Sequence, residues 1–102
     1  MSVVKINGSQ WQQEVKEHNG KVLVDIWGTG CAPCETFAPV LESFAQNTDT
    51  VKAVKMNFDD GVDIAIELGL RGLPTLYLFE NGELIKEHTG IMNEQDLSAW
   101  VL

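Results

Sequence analysis

Only two residues of the chain carry a thiol, and they stand three positions apart as Cys31 and Cys34, with Ala32 and Pro33 between them. A bridge between them would close a very small loop. Stabilisation from a cross-link grows with loop length, so as a staple the pair would be weak and its rationale must be chemical. A disulfide exchanger needs three things: a thiolate near neutral pH, a second thiol close enough to expel the bound substrate, and a fixed turn that presents the first sulfur. Cys31-Ala32-Pro33-Cys34 supplies them if it opens a helix. The unpaired N–H groups and partial positive charge of a helix N-terminus stabilise a thiolate on Cys31. Pro33 fits the first turn, where no N–H is required, and Cys34, one turn further in, is better placed to resolve than to attack. The alternatives are half of a zinc site and an inert structural pair. Zinc takes four ligands, and the two histidines, His18 and His88, have no ligand spacing to each other, so no metal site is expected.

The flanking segments predict the elements that hold this turn. Lys21-Val22-Leu23-Val24-Asp25-Ile26-Trp27 is an almost continuous apolar run of strand length, as in a strand covered on both faces. After Gly28-Thr29-Gly30, the apolar residues Phe37, Val40, Leu41 and Phe44 recur at helical spacing, and Pro39 among them predicts a kink. Val3–Ile6 reads as a short first strand. Ser9 is the expected N-cap of a first helix, with Gln12 three residues on, ending near Asn19-Gly20. Val51 to Phe58 alternates as a strand, with Val54, Met56 and Phe58 on one face and Val51, Ala53 and Lys55 on the other. Val62 to Leu68 fits a strand by alternation and a helix by the stripe Val62, Ala65, Ile66. Thr75–Glu80 and Glu83–His88 flank Asn81-Gly82, a strong hairpin signal. Asn93 caps a last helix carrying Leu97, Trp100 and Val101. Helices between strands imply an α/β fold with a mixed sheet.

The chain has 102 residues, 44% of them hydrophobic, and reads as a single domain over residues 1–102 able to bury its own core. Seven Lys and Arg against fifteen Asp and Glu leave a net charge of −8, which repels phosphate backbones and anionic lipid. Neither nucleic acid nor membrane is an expected partner. No apolar run approaches the roughly 18 residues needed to cross a bilayer. The opening Met1-Ser2-Val3-Val4-Lys5-Ile6-Asn7 lacks the long apolar stretch of an export signal, so the protein is expected to stay in the cytoplasm where it is made.

Val24-Asp25-Ile26-Trp27-Gly28-Thr29-Gly30-Cys31-Ala32-Pro33-Cys34 resembles the active-site stretch of the thioredoxin family. Arg71-Gly72-Leu73-Pro74-Thr75 is similar to that family's cis-proline loop, Phe79-Glu80-Asn81-Gly82-Glu83 to its hairpin, and Thr89-Gly90 to its late glycine beside the active site. The matches run in order along nearly the whole chain. They imply a thioredoxin fold, a central mixed five-stranded sheet flanked by four helices, with a helix over residues 62 to 69. They also imply a thiol–disulfide oxidoreductase that reduces protein disulfides through Cys31 and Cys34, carries no cofactor, acts as a monomer, and is recharged by a thioredoxin reductase drawing on NADPH through flavin or on ferredoxin.

The resemblance assigns further roles. Asp25, a carboxylate inside a buried run, would be the family aspartate that exchanges a proton with the second cysteine, and Lys55 the lysine beside it. Read from pattern alone, Asp25 could sit at an exposed strand end and Lys55 could be an ordinary solvated lysine. Trp27 would pack beneath the active site, whereas Trp11 and Trp100 read as core or helix-packing residues. Gly30, Ala32, Pro33, Gly72, Leu73, Pro74, Gly90 and Ile91 would form a flat apolar rim for substrate. Asp59-Asp60-Gly61-Val62-Asp63 lacks the ligand series of a calcium loop and reads as a helix start. Thioredoxins usually carry Trp immediately before the first cysteine and Gly immediately after it, where this chain has Gly30 and Ala32, and Glu35 stands where Lys is common. These departures bear on redox potential and substrate range. Two other function classes compete: a scaffolding module of the same fold, which loss of a cysteine would have favoured, and an oxidising or isomerising relative, for which an export signal would be expected.

Overall fold

The structure, a computed structural model, describes residues 2–102; Met1, the first residue of the segment read for an export signal, lies outside the described residues. Five strands, β1 (Val4–Ile6), β2 (Lys21–Trp27), β3 (Val51–Asn57), β4 (Thr75–Glu80) and β5 (Glu83–Thr89), form one sheet in the order β1-β3-β2-β4-β5. The first three run parallel, and β4 is antiparallel to β2 and β5 to β4. Helices α1 (Ala32–Gln46), α2 (Val62–Leu68) and α3 (Glu94–Val101) complete the framework.

The apolar run of β2 follows from its central place, because both of its faces are covered. Leu23 joins Phe37, Leu41 and Phe44 of α1 and Leu97 and Val101 of α3 in one core layer. Val22, Val24 and Ile26 point the other way, to Val15, Val54, Met56, Tyr77 and Phe79, with Ile64 and Leu68 of α2 packed on them. β3 divides as its alternation predicts, Val51 and Ala53 into the first layer and Val54 and Met56 into the second. Trp11 lies edge-on to Phe79 with ring centroids 5.5 Å apart, and Trp100 packs against the first layer.

Residues 62–68 are helical, and their alternation is an accident of composition. Ala65 is buried and Ile64 and Leu68 half-buried, while Ile66 is left 70% exposed. Left-handed Gly69 stops the helix. The first helix differs from expectation in type and start. It is a 3-10 turn at Gly8–Gln10 followed by a π-helical turn at Gln12–Lys16, capped by Asn7 and not by Ser9. The Asn7 side chain accepts the Ser9 N–H, and Gln10 reaches back to the Asn7 N–H, so the capping box sits two residues earlier than predicted. The Glu17 N–H reaches the Gln12 carbonyl, five residues back, and the wider turn keeps Trp11 and the fully buried Val15 on the sheet side. α1 continues through Pro39 to Gln46 as one helix. The hairpin turn has positive φ at Asn81 (52°) and Gly82 (83°), as a tight two-residue loop requires.

This topology gathers the functional loops. β1, β2 and β3 end at one edge of the sheet, where β4 begins and β5 ends, so residues 28–31, 57–61, 72–74 and 89–91 all cluster there. Among the described residues no helix is long and apolar enough to cross a membrane.

Candidate active site

The two cysteines stand at the junction of the central strand and α1, joined by a disulfide with a Cα–Cα separation of 5.3 Å. Cys31 is the N-cap of α1, its backbone extended, and its Sγ accepts the Cys34 backbone N–H at 3.2 Å. A donor aimed at this sulfur from a helix N-terminus favours its thiolate. Pro33 lies in the first turn as expected. The two cysteines differ in exposure: Cys31 is half-buried, whereas Cys34 is 5% exposed.

Asp25 and Lys55 are direct neighbours in the β2–β3 register, on the face that also carries Leu23 and Ala53 and looks toward α1. Asp25 is 3% exposed. Its Oδ1 has no hydrogen-bond partner among the described residues. Burial pushes its carboxyl up from 3.8 to about 7, with the positive charge of Lys55 pulling the other way. At neutral pH such a group holds and releases a proton with nearly equal ease, which an ordinary aspartate does not. Lys55 itself is half-buried.

The rest of the loop is fixed by short-range contacts. Asn57, at the end of β3, donates from Nδ2 to Thr29 Oγ1 at 3.1 Å and accepts the Asp59 N–H at 2.9 Å, tying the turn before Cys31 to the neighbouring strand. On the other side, Leu73 lies against Gly28 so closely that a Cβ on residue 28 would fall 2.6 Å from Leu73 Cδ1. The Leu73–Pro74 peptide is cis, as the resemblance implied. Thr75 Oγ1 donates to the Gly72 carbonyl at 2.6 Å, and the Gly90 N–H donates to the Pro74 carbonyl at 2.8 Å, so the 72–75 and 89–90 segments form one ledge. Of the proposed rim, Gly30, Ala32, Pro33 and Ile91 are exposed, Gly72, Leu73 and Gly90 half-buried, and Pro74 buried.

Behind the cysteines a cavity of about 330 Å³ opens between the ends of β2 and β3 and the first turns of α1. Asp25, Trp27, Cys34, Glu35, Glu42 and Lys55 supply its polar atoms, and Ala38, Leu41 and the Gly28–Gly30 turn the rest of its wall. Trp27 thus lies beside the site, its Nε1 buried without a hydrogen-bond partner among the described residues. Glu42, Asn57 and Thr29 were missed by sequence reading. Glu42 had a signal, since residues 34, 38, 41 and 42 fall on one stripe of a helix; the Asn57–Thr29 tie had none. Among the described residues no cluster of three or more His, Cys, Asp or Glu could hold a metal ion.

A strand–turn–helix dithiol beside a buried carboxylate and a cis-proline ledge matches the family that the sequence resembles, and direct comparison agrees. The thioredoxin family model matches residues 2–102. The chain belongs to the thioredoxin family. It is 37% identical over 100 residues to the thioredoxin of Pyropia yezoensis, covering 97% of this chain and 94% of the relative. It is 34% identical over 100 residues to that of Pseudomonas aeruginosa, covering 97% and 93%, and 36% over 94 residues to "Thioredoxin 1" of Synechococcus elongatus, covering 91% and 88%. The protein is accordingly a thiol–disulfide oxidoreductase that reduces protein disulfides by exchange through Cys31 and Cys34.

Proposed function

We propose that Cys31 is the attacking thiolate and Cys34 the resolving thiol, a division supported above all by their unequal exposure and by the N–H that Cys31 Sγ accepts. The Cys31 thiolate attacks one sulfur of a substrate disulfide, forming a mixed disulfide and releasing the other substrate sulfur as a thiolate. Cys34 gives its proton to Asp25 and attacks Cys31 Sγ. The Cys31–Cys34 disulfide forms, the second substrate sulfur leaves, and two electrons have passed from the protein to the substrate. The released thiolates take up protons, one of them from Asp25. Lys55 tempers the rise of the Asp25 carboxyl, keeping it within reach of both protonation states.

The apolar rim of Gly30, Ala32, Pro33, Gly72, Leu73, Pro74, Gly90 and Ile91 receives the extended chain around the substrate cysteine. The backbone beside Pro74 offers hydrogen bonds that fix its direction, and Trp27 backs the turn. Residues 1–102 act as one domain and as a monomer in the cytoplasm. There a thioredoxin reductase, fed by NADPH through flavin or by ferredoxin, returns the pair to the dithiol. Reduction of insulin disulfides tests the assignment. Cys31→Ser is expected to be inactive, and Cys34→Ser to accumulate mixed disulfides visible by mass spectrometry. Trapping through Cys34 in the Cys31→Ser protein, with none in the other, would reverse the roles.

A further inference from the structure

The cavity beside Cys34 holds more charge than proton exchange with one cysteine calls for. Asp25 lies at its floor, nine-tenths and more buried, with an oxygen that no group among the described residues satisfies. A buried acceptor left unpaired costs stability, and its presence marks a place completed from outside. Glu35, exposed in the first turn of α1, and half-buried Glu42, two turns on, stand on the α1 wall. The cation present is Lys55, which makes no ion pair within 4 Å among the described residues. Two carboxylates against one ammonium leave the cavity negative before Asp25 is counted, and more so when it is ionised. Beside these groups the lining includes the indole of Trp27 and the apolar side chains of Ala38 and Leu41. The turn at the mouth is Gly28-Thr29-Gly30, and Gly30, immediately before Cys31, puts no side chain across the entrance.

We propose that this cavity receives an arginine side chain carried by the substrate protein close to its reducible disulfide. A guanidinium is a planar fork of donors that pairs with carboxylates in two-point fashion and stacks on an indole face, and it is less strongly hydrated than an ammonium. It therefore fits a partly apolar, carboxylate-bearing pocket better than lysine does. Gly30 and Cys34, on either side of Cys31 in the chain, line the pocket, so an arginine near the half-cystine bound to Cys31 enters as the disulfide docks. The preferred substrates are disulfides with basic flanks. This inference rests on the reading that Cys31 is the attacking thiol.

The test measures single-turnover reduction of disulfide-linked peptides by the pre-reduced protein. In these peptides Arg, Lys, Leu or Glu is placed in turn at each of three positions on either side of the half-cystine. At one or more positions Arg is expected to react about tenfold faster than Leu, with Lys between them and Glu slowest. In the E35Q/E42Q protein the ratio of the Arg rate to the Leu rate should fall to less than about twofold, a ratio from which any common change in Cys31 reactivity cancels. A D59N/D60N protein, whose changes lie outside the cavity, should retain the advantage. Equal rates for Arg and Leu at every position would overturn the inference. So would an advantage lost as fully in D59N/D60N as in E35Q/E42Q, since that would assign the effect to the general negative field. Failure of the underlying reading looks different: either no peptide is reduced at all, or the Cys31→Ser protein still attacks them.

Discussion

Replacing Asp25 by Asn keeps the shape of the side chain and removes its ionisation, so it isolates the cost of burying this carboxylate. Burial raises the Asp25 carboxyl from 3.8 to about 7 against the pull of Lys55. The folded protein therefore holds a proton that the unfolded chain releases once pH passes 3.8. The sign follows: stability is unaffected by this group below that value, falls as pH rises to about 7, and is level above it. At about 1.4 kcal/mol for each tenfold change in the ionisation constant, the whole effect is about 4 kcal/mol. Asp25→Asn is thus expected to match the parent within about 1 kcal/mol near pH 4 and to exceed it by about 3 to 4 kcal/mol near pH 8. The same change should slow resolution by Cys34 and leave the first attack by Cys31 less affected, because the proton acceptor serves the second step. Guanidinium unfolding of both proteins, followed by tryptophan fluorescence with the disulfide kept oxidised, gives the two curves across this range. Parallel curves would refute the reasoning, and with it the physical basis for proton transfer at Asp25.

Glu35→Lys exchanges a negative for a positive charge in the first turn of α1 and is expected to shift the Cys31 pKa downward; alkylation rates against pH should move their midpoint to lower pH, and an unchanged midpoint would show that the side chain does not act on the sulfur. Gly28→Ala places a Cβ 2.6 Å from Leu73 Cδ1, so Leu73 must shift and the ledge with it; KM for insulin should rise with stability reduced by about 1 to 2 kcal/mol in denaturant titration. Gly82→Ala should cost about 2 kcal/mol or more, because φ is +83° there and the new Cβ would fall 2.3 Å from the Lys16 carbonyl oxygen; thermal unfolding measures it, while the reduced protein's thiol reactivity should not change.

The features that could be read from sequence were those in which local pattern and final environment coincide. The β2 run is almost continuously apolar because both of its faces are buried, and Asp25 stood out as a charge within it for the same reason. Asn81-Gly82 specified its hairpin, since positive φ at both residues is a local demand. Residues 62–68 could not be settled by pattern, because alternating and helical stripes overlap in a seven-residue segment, and only the resemblance chose helix. The first helix was misread in type because its geometry answers to distant partners: Trp11 must reach Phe79 and Val15 must reach the sheet. The Asp25–Lys55 pairing was supplied by resemblance, and the in-register β2–β3 contact now gives it a physical cause.

The cavity is a different kind of feature, for it is made by what is missing. Gly30 and Ala38 leave space, and a glycine or alanine in a sequence announces flexibility or a helix, not the volume that opens when three elements meet around it. Its charge was equally hidden. Glu35 and Glu42 are unremarkable polar residues on an amphipathic helix until Asp25 and Lys55, brought from two strands, face the same space. The reaction class follows from a four-residue motif at a strand–helix junction, which is local. Substrate preference depends on walls contributed by β2, β3 and α1 together, so relatives can share the cysteines and differ in what they reduce.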